Sequence, residues 1–232
     1  MESFPHLCNN ICMIELHNVS RTYDLGGEKI HALDKVTLTV KEQEFVAIMG
    51  PSGSGKSTFL NLIGGLDHPD TGQVVVQGIN LAQMKDKQVS RFRNKEIGFV
   101  FQSFHLQPMF SAEENVMLPL LFDKIKPSER KKRARKILET VGLGNRIKHR
   151  PSELSAGQRQ RVSIARAIIN QPTILLADEP TGNLDSKNGK LIMDLLHGLV
   201  KRQKMTIVMV THDSDMAKMA DKVITIRDGR VK

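Results

Sequence analysis

The sequence predicts an α/β domain: a parallel β-sheet core, a small antiparallel β-subdomain near the N-terminus and an inserted helical subdomain. Three observations predict it. Short apolar runs recur at 45–49, 97–101, 173–177, 206–210 and 223–226, the later ones separated by helical stretches. Strands of a parallel sheet buried on both faces read this way. Ahead of them, 14–20 and 33–40 alternate apolar and polar residues, the period of strands buried on one face. Between 103 and 170 no strong strand signal appears and helical patterns take over.

Composition narrows the functional classes. The chain has 232 residues, 40% hydrophobic and 25% charged, as an ordinary globular protein does. That length is enough to bury a sizeable core. No window approaches 18 uninterrupted apolar residues, and the best candidate, Val116–Phe122, is short and contains Pro119, so no membrane span is expected. No signal peptide is visible in the mixed polar stretch Met1–Met13. A net charge of +9 favours anionic partners: nucleotides, nucleic acid or an anionic membrane surface. The two cysteines, Cys8 and Cys12, lack partners at zinc-site spacing and read as thiols of an N-terminal extension, residues 1–12, in a reducing cytoplasm. A single domain then spans 13–232, with its core in 13–102 and 171–232 and a helical subdomain in 103–170.

Taken in order, Ile14–Ser20 and Leu33–Val40 form an antiparallel pair across a turn at Asp24–Glu28. Tyr23, the sole tyrosine, is either a half-buried strand residue or a flat surface for a nucleotide base. The run Phe45–Met49 leads into Gly50-Pro51-Ser52-Gly53-Ser54-Gly55-Lys56-Ser57-Thr58 and then an amphipathic helix. Strand, glycine-rich loop and helix in this order form a phosphate-binding P-loop, in which backbone N–H groups and the helix dipole converge on an anion. Lys56 reaches the β- and γ-phosphates and Ser57 ligates Mg²⁺ in such a loop. The Gly-x4-Gly-Lys-[Ser/Thr] pattern alone arises by chance in roughly one chain of this length in a hundred, so the flanking strand and helix carry the assignment.

Gln73–Gln77 reads as a further strand, and Ile97–Phe101, ended by Gln102, as a central parallel strand. Pro127 opens a helix with Ala134, Ile137, Leu138 and Val141 on one face and Gly142 as its cap. Its opposite face, Arg130, Lys131, Lys132, Arg133, Arg135 and Lys136, is a solvated surface or a contact for anionic lipid headgroups. Nucleic acid is not expected there, since few aromatics are interleaved. Leu154-Ser155-Ala156-Gly157-Gln158 has capping-box spacing, so it marks a helix N-terminus, read as a plain cap or a second anion site. Asp178 and Glu179 close the strand Ile174–Ala177 at the sheet edge where ligands bind. Asp178 suits the Mg²⁺ side of such a site, and Glu179 suits a base acting on the attacking water.

These residues together resemble the ATP-binding cassette (ABC) ATPases. The P-loop at 50–58, Gln102 as the Q-loop glutamine, the signature at 154–158, the Walker B strand at 174–179, the D-loop Asn183-Leu184-Asp185 and the switch histidine His212 occur in the family's order. The resemblance implies the P-loop NTPase fold with a RecA-like core, ATP hydrolysis with Mg²⁺, and a head-to-tail homodimer holding two ATP molecules. In such a dimer the signature residues Ser155, Ala156, Gly157 and Gln158 meet the partner's γ-phosphate. It further implies that Tyr23 stacks on adenine, that His212 holds the γ-phosphate, that Gln102 senses Mg²⁺ and water, and that Asp185 belongs to the D-loop. Ala156 stands where the family usually has a glycine, which is harmless unless the backbone there needs positive φ.

Gly65-Leu66-Asp67, Phe110–Val116, Leu118-Pro119-Leu120 and Ala177–Ser186 further resemble the LolD/MacB-type exporter branch and the related cell-division cassette. That branch implies a separate integral-membrane permease, export of lipoprotein, peptide or antibiotic or transmission of force, and a peripheral position on the cytoplasmic face of the inner or plasma membrane. Phe104, Met109 and Phe110 either line a groove for a permease helix or pack within the helical subdomain. The alternative readings are a soluble ABC ATPase of DNA repair or translation, or a cell-division regulator with low ATPase activity.

Overall fold

The computed structural model describes residues 12–123 and 125–232, so Cys8 and the rest of 1–11 lie outside it. Alternation sets the register of the first two strands, β1 (Cys12–Leu25) and β2 (Glu28–Lys41). They pair antiparallel as Ile14↔Val40, Leu16↔Leu38 and Val19↔Val36, which puts all six apolar side chains on the buried face. Cys12, expected in the N-terminal extension, is instead the first residue of β1 and pairs with Lys41. The correction arises because backbone pairing runs two residues past the alternating apolar pattern.

The wholly apolar β3 (Phe45–Met49) leads through the P-loop into α1 (Lys56–Ile63), whose Phe59, Leu60, Leu62 and Ile63 are buried. β4 (Thr71–Val76) pairs antiparallel with β1, and the short β5 (Ile79–Asn80) follows it. Next comes α2 (Asp86–Glu96), in which only Val89 is buried. That near absence of an apolar stripe explains why no helix is legible there in the sequence. β6 (Ile97–Phe101) ends at Gln102. The helical block then contributes α3 (Ala112–Met117), α4 (Pro127–Thr140) and α5 (Ala156–Ile168). β7 (Ile174–Asp178), α6 (Ser186–Gln203), β8 (Thr206–Thr211), α7 (Ser214–Ala217), β9 (Lys222–Arg227) and β10 (Arg230–Val231) complete the chain.

Among the described residues the strands form two sheets, a four-stranded antiparallel one in the order β2-β1-β4-β5 and a six-stranded one in the order β10-β9-β3-β8-β7-β6. In the larger sheet β9, β3, β8, β7 and β6 run parallel, and β10 pairs antiparallel with β9. β8, between two neighbours and two covered faces, is buried at all six positions.

Two expectations need correction. β6 is an edge strand, not a central one. Its continuous apolar run reflects covered faces, not a middle position: Ile97 and Phe99 join the core beneath α1, while Val100 joins the cluster containing Ile164 and Ile168 of α5. Gly98 lies so close to the Ala167 carbonyl of α5 that a Cβ would overlap it. The helical block also does not stand apart up to residue 170. One face of α5 (Ile164, Ile168) belongs to the core of the parallel sheet, and another (Val162, Ala165, Ile169) to a cluster with Val116, Leu120 and Leu138.

Leu138 is fully buried in that second cluster. Leu138→Ala is expected to lower stability by about 2–5 kcal/mol, read as a reduced midpoint in chemical denaturation.

Candidate nucleotide-binding site

The carboxyl ends of four adjacent parallel strands converge on one point. β3 delivers the loop 50–55, β8 delivers His212, β7 delivers Asp178 and Glu179, and β6 delivers Gln102. Chain order 3-6-7-8 becomes spatial order 3-8-7-6, so groups distant in sequence are brought together. They border a cavity of about 650 Å³ lined by Tyr23, the P-loop residues Ser52, Gly53, Gly55, Lys56, Ser57 and Thr58, and Gln102, Asp178, Glu179 and His212. That volume lies in the range of small-molecule and cofactor sites.

The loop itself is built by close approach. A Cβ on Gly50 would overlap the Ile226 carbonyl of β9, and one on Gly55, at φ 101°, would overlap the Ala32 carbonyl of β2. Only glycine fits at either place, so the backbone N–H groups of the loop can face inward at the start of α1. The buried Ser54 hydroxyl has no hydrogen-bond partner among the described residues. Lys56, 7% exposed, folds back over the loop and donates from Nζ to the carbonyls of Gly50 at 2.9 Å and Pro51 at 2.7 Å. Its ammonium is thereby held beside the cavity. A glycine cradle of this kind has the inward backbone donors that a polyphosphate requires.

On the opposite wall, Glu179 adopts a left-handed backbone, φ 45°, which is strained for a non-glycine residue. The conformation is held by hydrogen bonds from its N–H to the Val210 carbonyl (2.9 Å) and from Gly182 N–H to its own carbonyl (3.1 Å). The turn carries its carboxylate to His212, whose Nδ1 lies 2.8 Å from Oε1. Because the carboxylate can only accept, Nδ1 carries the proton. Burial first, then the neighbouring Glu179 charge, pushes the Asp178 carboxyl above the usual carboxylate range, while Lys56 opposes the shift. The Gln102 backbone is fixed by its main-chain carbonyl, which accepts from Asn183 Nδ2 at 2.9 Å.

Among the described residues no group of three or more His, Cys, Asp and Glu side chains could hold a metal ion unaided. Ser57, Asp178 and Gln102, all among the residues that line the cavity, offer hard oxygen ligands. Such a set suits Mg²⁺ that takes its remaining ligands from phosphate and water.

The signature residues lie elsewhere. Ser155, Ala156, Gly157 and Gln158 form the capped start of α5, and neither they nor Asp185 line the cavity. The capping box is formed: Ser155 Oγ accepts from Gln158 N–H at 3.3 Å, and Gln158 Oε1 accepts from Ser155 N–H at 2.9 Å. Ala156 opens the helix in ordinary helical conformation, so its methyl is unstrained. Gly157 is buried against Asn188 of α6, where a Cβ would come within 2.7 Å of Oδ1. Sequence reasoning missed Asn188 and the left-handed Glu179. The Asp185-x-x-Asn188 spacing at a helix start was the available signal for the first, and local sequence holds none for the second.

A family model described as "ABC transporter" matches residues 33–182. The chain is 50% identical over 219 residues to an uncharacterized ABC transporter ATP-binding protein, YvrO, of Bacillus subtilis, covering 94% of this chain and 95% of that one. It is 51% identical over 219 residues to the macrolide export ATP-binding/permease protein MacB of Chlorobaculum tepidum, covering 94% of this chain and 33% of MacB. Among solved structures, the ATP-binding cassette MJ0796 of Methanocaldococcus jannaschii, a dimer in a post-hydrolysis state bound to ADP and Pi, superposes with a TM-score of 0.88. That match has 48% identity and covers 95% of this chain and 97% of the other. A glycine cradle, acidic strand ends and a capped signature helix in one fold, together with these matches, place the chain in the ABC transporter family as an ATP-binding cassette.

Proposed function

We propose that this cassette binds and hydrolyses ATP as a head-to-tail homodimer and drives a separate integral-membrane permease of the LolD/MacB type. The carrying observation is the convergence of four strand ends on one cavity, with the P-loop on one wall and the Glu179–His212 pair on the other. In this reading the loop N–H groups and Lys56 hold the β- and γ-phosphates, and the Tyr23 ring carries the adenine. Glu179 orients and deprotonates the attacking water, and His212 contacts the γ-phosphate. Ser57, Asp178 and Gln102 would hold Mg²⁺, which when bound neutralises charge developing on the phosphates.

The position of residues 155–158 supports the dimer. They make a well-formed helix N-terminus with an exposed serine, outside their own chain's cavity. A second cassette facing that N-terminus would supply the γ-phosphate for it to bind. MJ0796 is a dimer in its solved structures, which supports the same arrangement. ATP then bridges the two copies, and hydrolysis releases them.

The permease is inferred from the relative MacB, an ATP-binding/permease protein of which this chain covers 33%. No helix among the described residues is long and apolar enough to cross a membrane. Phe104 packs under the Arg159 guanidinium at 5.3 Å, whereas Met109, 74% exposed, and Phe110 remain on the surface with Leu121 and Phe122. Those four side chains suit a permease contact. Such a cassette sits peripherally on the cytoplasmic membrane face. On α4, Arg133 pairs with Glu129, Arg135 with Glu113, and Arg130 donates to the Ile125 carbonyl. Lys131, Lys132 and Lys136 remain as exposed cations for solvent or for anionic headgroups.

Glu179→Gln is expected to keep ATP binding, lower turnover by about 10²–10⁴-fold and accumulate an ATP-bound dimer in size-exclusion chromatography. Near-normal hydrolysis would remove Glu179 from its role. Lys56→Ala is expected to abolish measurable ATP binding; unchanged nucleotide affinity would overturn the phosphate assignment. Purification from membranes is expected to bring down an integral-membrane partner that raises the steady-state ATPase rate, and a cassette whose rate ignores every co-purified membrane protein would count against the permease.

A further inference from the structure

The Gly65-Leu66-Asp67 segment lies outside the phosphate and catalytic walls, and the structure gives it a task. Gly65, at φ 61°, ends α1 in the left-handed conformation, and Leu66 and Asp67 N–H groups both bond back to the Asn61 carbonyl, at 2.8 and 3.3 Å. Asp67 is therefore rigidly placed at the far end of the helix that begins at Lys56. Its carboxylate does not face solvent alone. Oδ2 accepts the Tyr23 hydroxyl at 2.6 Å and Arg21 Nε at 3.0 Å, and Oδ1 takes Arg21 Nη2 at 2.9 Å.

Arg21 is held from a second side. Its Nη1 donates to Asp70 Oδ1 at 2.6 Å, and Asp70 Oδ2 accepts the Thr22 N–H at 2.7 Å. The guanidinium carbon lies 4.8 Å from the centre of the Tyr23 ring, within cation–π range. Both Arg21 and Asp67 are more than three-quarters buried, at 23% and 22% side-chain exposure, so the forked pair is shielded from the screening that weakens surface ion pairs. The Tyr23 ring is thus fixed at its hydroxyl by one carboxylate and covered on one face by a guanidinium, and it lines the cavity beside Ile30 and Ala32.

We propose that Asp67, with Arg21 and Asp70, is a positioning site that presets the Tyr23 ring for the adenine base. It sets affinity for the base-bearing part of ATP and not for its phosphates. The inference rests on the reading of Tyr23 as the base platform. An exposed tyrosine on a strand would otherwise lose rotational freedom each time a nucleotide bound, and fixing it beforehand removes that cost. The geometry also fixes the span of the site. The same helix holds phosphates at its first turn and, through Asp67, the base platform beyond its last, so the two ends of the nucleotide meet one rigid element.

Equilibrium binding of ATP and of inorganic tripolyphosphate, which has no base, tests this with the full chain. Tyr23 is the only tyrosine and the chain has no tryptophan, so its emission reports on this ring in the unaltered chain and in Asp67→Ala, and calorimetry reads the variants that lack Tyr23. Asp67→Ala is expected to weaken ATP about 3- to 10-fold, the loss of one pre-ordered side chain, and to leave tripolyphosphate unchanged. Tyr23→Phe added to Asp67→Ala is expected to cost nothing further, since the hydroxyl has already lost its partner. Parallel weakening of both ligands by Asp67→Ala would show a merely structural role and overturn the proposal. Unchanged ATP affinity in Asp67→Ala, with a loss in Tyr23→Ala, would overturn the positioning site while leaving Tyr23 as the platform. Unchanged ATP affinity in Tyr23→Ala would remove the platform itself.

Discussion

The structure depends on how closely the backbone at the end of β3 approaches its neighbours. Gly50 sits against the Ile226 carbonyl of β9 and Gly55 against the Ala32 carbonyl of β2, with no room for a Cβ at either. Those contacts lock the loop between the parallel sheet and the antiparallel one, and they set the direction in which α1 leaves. Asp34 N–H bonds to the Gly229 carbonyl and Gly229 N–H to the Ser54 carbonyl, so β2, the loop and the β9–β10 turn form one unit. A phosphate cradle of backbone donors needs this rigidity, because donors that must first be ordered bind an anion poorly.

Around that unit the remaining groups are placed by topology. A parallel sheet puts all its carboxyl ends on one edge, and a strand order differing from chain order gathers there residues more than a hundred positions apart. Glu179 is the one site residue for which topology is insufficient. The strand ending at Asp178 would carry the next side chain onward, and the left-handed turn at φ 45° redirects it to His212. The strain is held by hydrogen bonds to β8 and to Gly182, where a Cβ would crowd the Gln102 and Glu179 side chains. The catalytic wall is thus stiff for the same reason as the phosphate wall.

Much of this was legible in the sequence, because the features concerned are local. Loop glycines, a capping box, acidic strand ends and alternating strands each carry their signal within a few residues. Less legible were features decided by distant contacts. The apolar run 97–101 predicts burial of both faces, and both faces are covered, but it says nothing of the strand's lateral position. In α2 only Val89 is buried, with Phe92 packed half-buried beside the core, too few apolar positions to make a detectable stripe. The two-faced role of α5 needs both cores in place before Ile164 and Ala165 can be assigned to different ones. The Arg21–Asp67–Tyr23 contacts join positions 44 and 46 residues apart, and no spacing rule connects them.

The link between the two halves of the functional surface is likewise tertiary. Gly157 at the start of α5 receives the Asn188 side chain. Asn188 donates from its N–H to Asp185 Oδ1 at 2.9 Å and from Nδ2 to Oδ2 at 2.6 Å, so each oxygen of the D-loop carboxylate has a partner within its own chain. Those bonds hold the Asp185 carboxyl below the usual carboxylate range, the Asn188 backbone N–H contributing most. Two residues earlier, Asn183 fixes the Gln102 carbonyl at the cavity. The surface that carries the signature and the cavity that carries the catalytic groups are therefore opposite ends of one short chain of packed and hydrogen-bonded residues.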